Sequence, residues 1–313
     1  MMDTRRYALG VDVGGSHISC KTYDLVERVL LENSFCSIKI DHSGTREEIL
    51  NRMEELLNPV LQDIYIQDLA GIGFAMPGPF DYVNGIAQFS GENAKFIHLN
   101  QVNIRKELSI RLEIEEEKIR FINDATAFAI GEFFNGELRN SSKSLAITLG
   151  TGFGSAFLSN GIPVITENTV PKEGCLWHLP FESGIADNYF STRGLVNRFE
   201  SSAHLKVQGV KQIAELYNSH ASAQQVFDDF GKKLAQFLTP WIKSFEVDAL
   251  VIGGNISKAF SLFQDPLEQE LRKQDIKLKT ESSQLLEDSA FIGAAVLLEE
   301  GFYSSIKDQL KYM

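Results

Sequence analysis

The chain is short of cysteine, of positive charge and of long apolar runs. Its three cysteines, Cys20, Cys36 and Cys175, stand far apart in 313 residues and form no CxxC pair. An odd, scattered count excludes a disulfide framework and suits free thiols in a reducing cytoplasm. Lys and Arg number 30 against 42 Asp and Glu, a formal net charge of −12. That balance argues against a binder of nucleic-acid backbones, which presents a basic face. A nucleotide site is still open to it, since such a site needs only local donors and a metal. No apolar run approaches about 18 residues, so no membrane-spanning helix is expected. The opening MMDTRRYALG lacks the apolar core of a secretory signal. Two familiar phosphate motifs are missing as well. GxxxxGK followed by Ser or Thr occurs nowhere, and no GxGxxG follows Val11-Asp12.

What is present is ordinary in bulk: 43% apolar and 23% charged residues, the composition of a globular protein. The length predicts two domains, each able to bury its own core. The informative stretch is Ser144–Leu158, SLAITLGTGFGSAFL. An apolar run, Leu145–Leu149, ends in Gly150-Thr151-Gly152-Phe153-Gly154 and passes into a second alternating segment. Three glycines in five residues let a backbone approach something closely. The N–H groups of such a turn suit an anion such as phosphate. A plain hairpin turn would also fit. A second copy changes the weight. Tyr7–Asp24, YALGVDVGGSHISCKTYD, again runs from an apolar strand carrying Asp12 through Gly14-Gly15-Ser16 into an alternating segment. The copies start about 137 residues apart, which predicts two related lobes.

Each half then repeats one order. Strands are expected at 7–13, 18–23 and 29–37, a helix over 44–61, a buried strand at 69–75, a helix over 104–112, a short strand at 120–123 and an Ala-rich helix over 125–134. The second half gives strands at 145–149, 155–158 and 162–166, helices over 187–200, 210–218 and 221–244, and a strand at 249–252. Helix 257–272, strand 276–279 and helix 288–299 follow. Three antiparallel strands followed by strand and helix units, twice over, make an α/β chain of two three-layer lobes. The last helix is expected to return to the first lobe. The expected division is 1–122 with about 289–313, against 123–288.

Asp124 in FINDATAFAIGE stands where a strand meets a helix. A carboxylate there can act as a base or simply cap the helix N-terminus. Gly253-Gly254-Asn255 likewise ends a strand before a helix and can be an ordinary helix entry.

Together the two Gly-rich hairpins, Pro77-Gly78-Pro79, Asn123-Asp124 and Gly253-Gly254-Asn255 resemble the ROK family of sugar kinases, in the right order from about residue 7 to 299. The resemblance implies the actin- and hexokinase-like (ribonuclease H-like) fold, with an active-site cleft between its lobes. It implies transfer of phosphate from ATP, with Mg²⁺, to a hexose or N-acetylhexosamine hydroxyl, the 6-hydroxyl in this family. Asp124 matches the catalytic aspartate and Asn123 a sugar-hydroxyl ligand. Asp12 matches the aspartate that faces Mg²⁺ and phosphate. Gly14, Gly15 and Ser16, with Lys21, would surround the terminal phosphates; Thr151, Gly152 and Gly154 match the second phosphate loop; Gly253, Gly254 and Asn255 match the adenosine loop. The sugar side rests on Pro77, Gly78, Asn93, Asn123 and His178.

The family's sugar loop reads GExGH, and here Gly174-Cys175-Leu176-Trp177-His178 stands in its place. Cys175 replaces a glutamate and Trp177 a glycine. Asp187, nine residues past His178, falls where short-loop members such as polyphosphate-type glucokinases place a second glutamate. Glu173 could replace the missing carboxylate. The zinc knuckle of long-loop members has no counterpart, so no structural zinc is expected. A catalytically weak sugar-binding or regulatory protein on the same fold is the alternative, and a homodimer fits the family.

Overall fold

The structure is a computed structural model that describes residues 5–91 and 95–313. Two compact units make up the chain. One runs to Asn135 and takes in Glu287–Met313; the other is Gly136–Leu286.

The first unit is built on β1 (Tyr7–Val13), β2 (His17–Asp24), β3 (Val29–Leu30), β4 (Cys36–Lys39), β5 (Leu69–Met76) and, after the short pair β6 (Phe80–Asp81) and β7 (Ile86–Ala87), β8 (Ile119–Asn123). The sheet order is β3-β2-β1-β5-β8, with β4 also on β2. β1 pairs antiparallel with β2 and parallel with β5, and β5 pairs parallel with β8. All eight residues of β5 are buried. Such unbroken apolar strands are what a sheet covered on both faces requires. The registers Asp12↔Ala75 and Met76↔Asn123 bring the C-terminal ends of β1, β5 and β8 to one edge of the sheet. That edge is where open α/β sheets bind ligands.

Helix α1 (Arg46–Gln62) begins in a capping box. The Glu48 N–H donates to Thr45 Oγ1 and the Thr45 N–H donates 2.7 Å to Glu48 Oε2, so two helix-end donors are satisfied together. α2 (Ile104–Leu112) follows, and α3 (Asp124–Asn135) grows directly out of β8.

Unit two repeats the plan with β9 (Lys143–Leu149), β10 (Phe153–Ser159) and β11 (Ile162–Pro163), then β12 (Pro180–Phe181) and β13 (Gly184–Ile185) in a small hairpin, and β14 (Ala249–Gly253) and β15 (Lys279–Ser282). Its order, β11-β10-β9-β14-β15, has the same strand senses as the first sheet. Helices α4 (Ala186–Phe190), α5 (Thr192–Ala203), α6 (Val210–Glu215), α7 (Ala221–Phe245) and α8 (Phe260–Lys273) complete it. Phe153, Phe190 and Phe237 form the centre of an aromatic cluster with ring centroids 5.3, 5.6 and 5.9 Å apart. Tilted and edge-on ring pairs at this spacing add to area burial.

The chain closes with α9 (Asp288–Val296) and α10 (Glu300–Ile306), both in the first unit. α9 lies against α3 at backbone contact. A Cβ on Gly293 would sit 1.8 Å from the Ala127 carbonyl oxygen, and one on Gly131 would sit 1.9 Å from that of Ser289. The contact is tied by Ser289 Oγ donating 2.5 Å to the buried Glu132 carboxylate. Gly293→Ala must push apart two buried backbones. It is expected to destabilise the protein by about 3 kcal/mol, the upper range for overpacking. A chemical-denaturation midpoint unchanged from wild type would contradict this packing.

Several expected elements differ in extent. The third strand over 29–37 is two pieces, because Leu31 turns its N–H to Thr22 and Ser34 Oγ bonds the Leu31 carbonyl. The helix expected over 187–200 breaks at Ser191, whose extended backbone and side-chain bond to the Gly194 N–H start α5 afresh. The strand expected at 276–279 lies at 279–282 instead. Ile276 still bonds back to Leu271 of α8, and pairing with β14 begins only at Lys279. The 162–166 strand is limited to Ile162–Pro163, and α10 was not expected at all.

Candidate active site

In the first unit the site starts from the strand ends. Asn123 closes β8 and Asp124 opens α3. The Asn123 side chain does the capping: its Oδ1 accepts from the Thr126 N–H at 3.1 Å. Asp124 is thereby released from that task. Its Oδ1 accepts from Asn123 Nδ2 at 3.0 Å and from the Ala125 N–H at 2.9 Å, which leaves Oδ2 without a side-chain donor among the described residues. The carboxylate is oriented through one oxygen and open at the other.

The Asp124 pKa is raised. Burial among protein atoms is the main cause, opposed by the Ala125 N–H and the positive charge of Lys95. Solvent still reaches the residue, so this carboxylate is crowded rather than sealed. Asp12, at the end of β1, is pushed up to about 7 by burial first, then by the nearby charges of Asp124 and Glu287. No hydrogen bond or ion pair to a described residue offsets Asp12. A carboxylate left so costly to ionise is the donor type that a hard divalent cation relieves.

Beside Asp12 the β1–β2 turn closes with the Gly14 N–H donating to the His17 carbonyl at 3.0 Å. Ser16 Oγ lies 3.0 Å from His17 Nδ1. Pro77 and Gly78 follow the end of β5, with Gly78 exposed. Tyr82 fixes this corner: its buried hydroxyl donates to the Met76 carbonyl at 3.1 Å. Asn93 lies outside the described residues. Lys21 pairs with Asp288, with Nζ at 2.8 and 2.9 Å from the two carboxylate oxygens.

Lys95 was not anticipated from the sequence. Its side chain lies over the first Gly-rich turn, with Cε and Nζ each 3.1 Å from where a Gly15 Cβ would be. A single lysine in a polar loop gives no signal of its own; only the folded register brings it to the turn.

The second unit assembles a different group. Its β9–β10 turn is tied by the Gly150 N–H donating to Gly152 at 3.0 Å, while the Gly150 carbonyl accepts from the Thr192 N–H at 2.7 Å. Gly254 packs on the end of β9 at φ +78°, and a Cβ there would lie 2.4 Å from the Leu149 carbonyl. Only glycine fits both the φ and the approach. Thr151, Gly152, Gly154, Gly253, Gly254 and Asn255 thus gather at the ends of β9 and β14, and Asn255 Oδ1 accepts from Lys258 at 3.0 Å.

Asp187 belongs to this group. Its Oδ1 accepts from the Phe153 N–H at 2.9 Å and its Oδ2 from Arg193 at 3.0 Å. Oδ1 therefore buttresses the second Gly-rich turn, while Oδ2 pairs with Arg193 of α5. The 174–178 loop is linked to it through the Asp187 N–H, which donates to the Trp177 carbonyl at 3.0 Å. The Trp177 ring stands edge-on to His178 at 5.3 Å and is 48% exposed. Ser155 Oγ anchors the loop from below, donating to the Gly174 carbonyl and accepting from the Leu176 N–H. Glu173 turns at φ +61° and meets Lys172 at 3.4 Å. Among the described residues, no cluster of three or more His, Cys, Asp or Glu is placed to hold a metal ion.

A doubled α/β plan with Gly-rich turns at corresponding hairpins is the architecture of the actin- and hexokinase-like sugar kinases. The chain belongs to the ROK family, whose model matches residues 8–300. A glucokinase of Thermotoga maritima is 24% identical, over 93% of this chain and 97% of its own. An N-acetyl-D-glucosamine kinase of Pectobacterium carotovorum is 24% identical over 82% and 86%. The crystal structure of a ROK family glucokinase from Streptomyces griseus, in complex with glucose and AMPPNP, shares the fold at a TM-score of 0.72. It is 21% identical and covers 93% of this chain and 98% of that one.

Proposed function

We propose that this protein is an ATP-dependent kinase that phosphorylates a hexose or N-acetylhexosamine at O6, with Asp124 as the base. The observation that carries the proposal is the Asp124 carboxylate. It is oriented through Oδ1, free of capping duty, and held above its ordinary pKa by burial. Phosphoryl transfer asks the protein mainly for positioning, charge stabilisation and a group to take the hydroxyl proton. Relatives named glucokinase and N-acetyl-D-glucosamine kinase support the sugar class.

Asn123, Pro77 and Gly78 would orient the sugar, and Asn93, His178 and Asp187 are further proposed contacts. As the hydroxyl oxygen attacks the γ-phosphorus, its proton passes to Asp124 Oδ2 and ADP departs with the bridging oxygen. The turn Gly14-Gly15-Ser16, through the N–H groups of Gly15 and Ser16, and the second turn at Thr151, Gly152 and Gly154 would hold phosphate oxygens. Gly253, Gly254 and Asn255 would hold adenosine. Asp12 would hold Mg²⁺, which when bound offsets phosphate charge.

Incubating the protein with ATP, Mg²⁺ and a panel of free sugars tests the reading. One sugar is expected to gain phosphate at C6, seen as phosphorus coupling to that carbon by NMR. Phosphate at C1 would overturn the O6 assignment. A second reading, a weak sugar-binding or regulatory protein, is favoured by two observations: the loop residues Cys175 and Trp177 are unlike the family's, and Asp187 is already engaged by Phe153 and Arg193. Sugar binding without transfer is its signature.

A further inference from the structure

We infer that Lys95 is a catalytic residue that binds the phosphoryl group in flight, an inference resting on the kinase reading. Three observations place it there. Its ammonium lies over the Gly14-Gly15 turn, at 3.1 Å from an ideal Gly15 Cβ. It acts on Asp124, which sits in the same unit. It is exposed and makes no hydrogen bond or ion pair with a described residue, unlike Lys21, which Asp288 holds. A lysine without a fixed partner among the described residues, over the first Gly-rich turn and close enough to act on the proposed base, is free to meet a triply oxygenated anion.

The role follows from charge. When the sugar oxygen bonds to the γ-phosphorus and the bond to the ADP oxygen breaks, negative charge spreads over the three equatorial oxygens. The proton goes to Asp124 and the electron pair leaves on ADP. A flexible ammonium beside the turn can follow those oxygens from ATP to sugar phosphate.

Lys95→Met and Lys95→Arg test this. In the kinase, Lys95→Met is expected to lower kcat about 100-fold, the low end of what removing one donor to a transition-state oxyanion costs. The sugar KM should stay within threefold, and Lys95→Arg should recover at least tenfold of the loss. A merely structural lysine would not split kcat from KM in this way. Inorganic phosphate supplies a readout that does not need turnover: its affinity, by calorimetry, should fall at least tenfold in Lys95→Met. A variant with kcat within threefold of wild type, or with raised sugar KM and intact kcat, overturns the inference. If wild type shows no transfer to any sugar, the kinase reading fails. Lys95 is then judged on phosphate alone, and an affinity the substitution leaves unchanged overturns its role.

Discussion

Asp124→Asn is expected to lower kcat about 1,000-fold while the fold and the sugar KM stay near wild type. A positioned general base contributes on the order of 100- to 10,000-fold. The substitution keeps the shape and the Oδ1 acceptor, so the bonds from Asn123 Nδ2 and the Ala125 N–H survive. What it removes is the basic Oδ2. The helix start should not suffer, since Asn123 already accepts from the Thr126 N–H. A capping role would give the reverse result: lost stability and retained turnover. Circular dichroism with steady-state kinetics on the one variant separates them. The same carboxylate sets a pH dependence. Burial raises its pKa above the ordinary 3.8, so kcat/KM should fall on acidification through a limb above that value.

Asp12→Asn is expected to move stability and activity in opposite directions. Without ligand, Asp12 is a carboxylate pushed up to about 7 by burial and by Asp124 and Glu287. A raised acid binds its proton more tightly folded than unfolded. Its contribution to stability is therefore full below about 4 and is lost as pH rises through about 7. At pH 8 the ionised group costs roughly 4 kcal/mol at most. The neutral amide removes that cost, so the ligand-free variant should melt several degrees higher at pH 8. The gain should shrink between pH 7 and 4. On the proposed kinase reading activity should fall at least 100-fold, because Mg²⁺ would lose an anionic ligand. A differential scan in which Asp12→Asn melts lower than wild type at pH 8 would contradict this electrostatic picture.

The fold was readable because its signals are local and doubled. Two apolar strands each ending in a Gly-rich turn predict two hairpins, and both sheets do run antiparallel at one side and parallel at the other. Boundaries were harder where a side chain competes with the periodic pattern. Ser191 caps α5 in the middle of an otherwise helical stretch, and Ile276 finishes α8 before β15 can pair. At the site, Asn123 and Asp124 could be located from sequence, but not which of them caps the helix; the Thr126 bond decides that. Asp187 carried the charge expected for a sugar ligand. Its partners, Phe153 and Arg193, lie 34 and six residues away, and no pattern of spacing announces them. Lys95 is the extreme case, since its significance comes wholly from what the turn 80 residues earlier places under it.

The most direct measurement of the central claim is ADP release by the purified protein with ATP and Mg²⁺ against glucose, mannose, fructose, allose, N-acetylglucosamine and N-acetylmannosamine. One sugar is expected to raise ADP release far above the sugar-free rate, and Asp124→Asn to abolish the rise. Folded, nucleotide-binding protein that responds to none of the six would contradict it and favour the binding or regulatory reading.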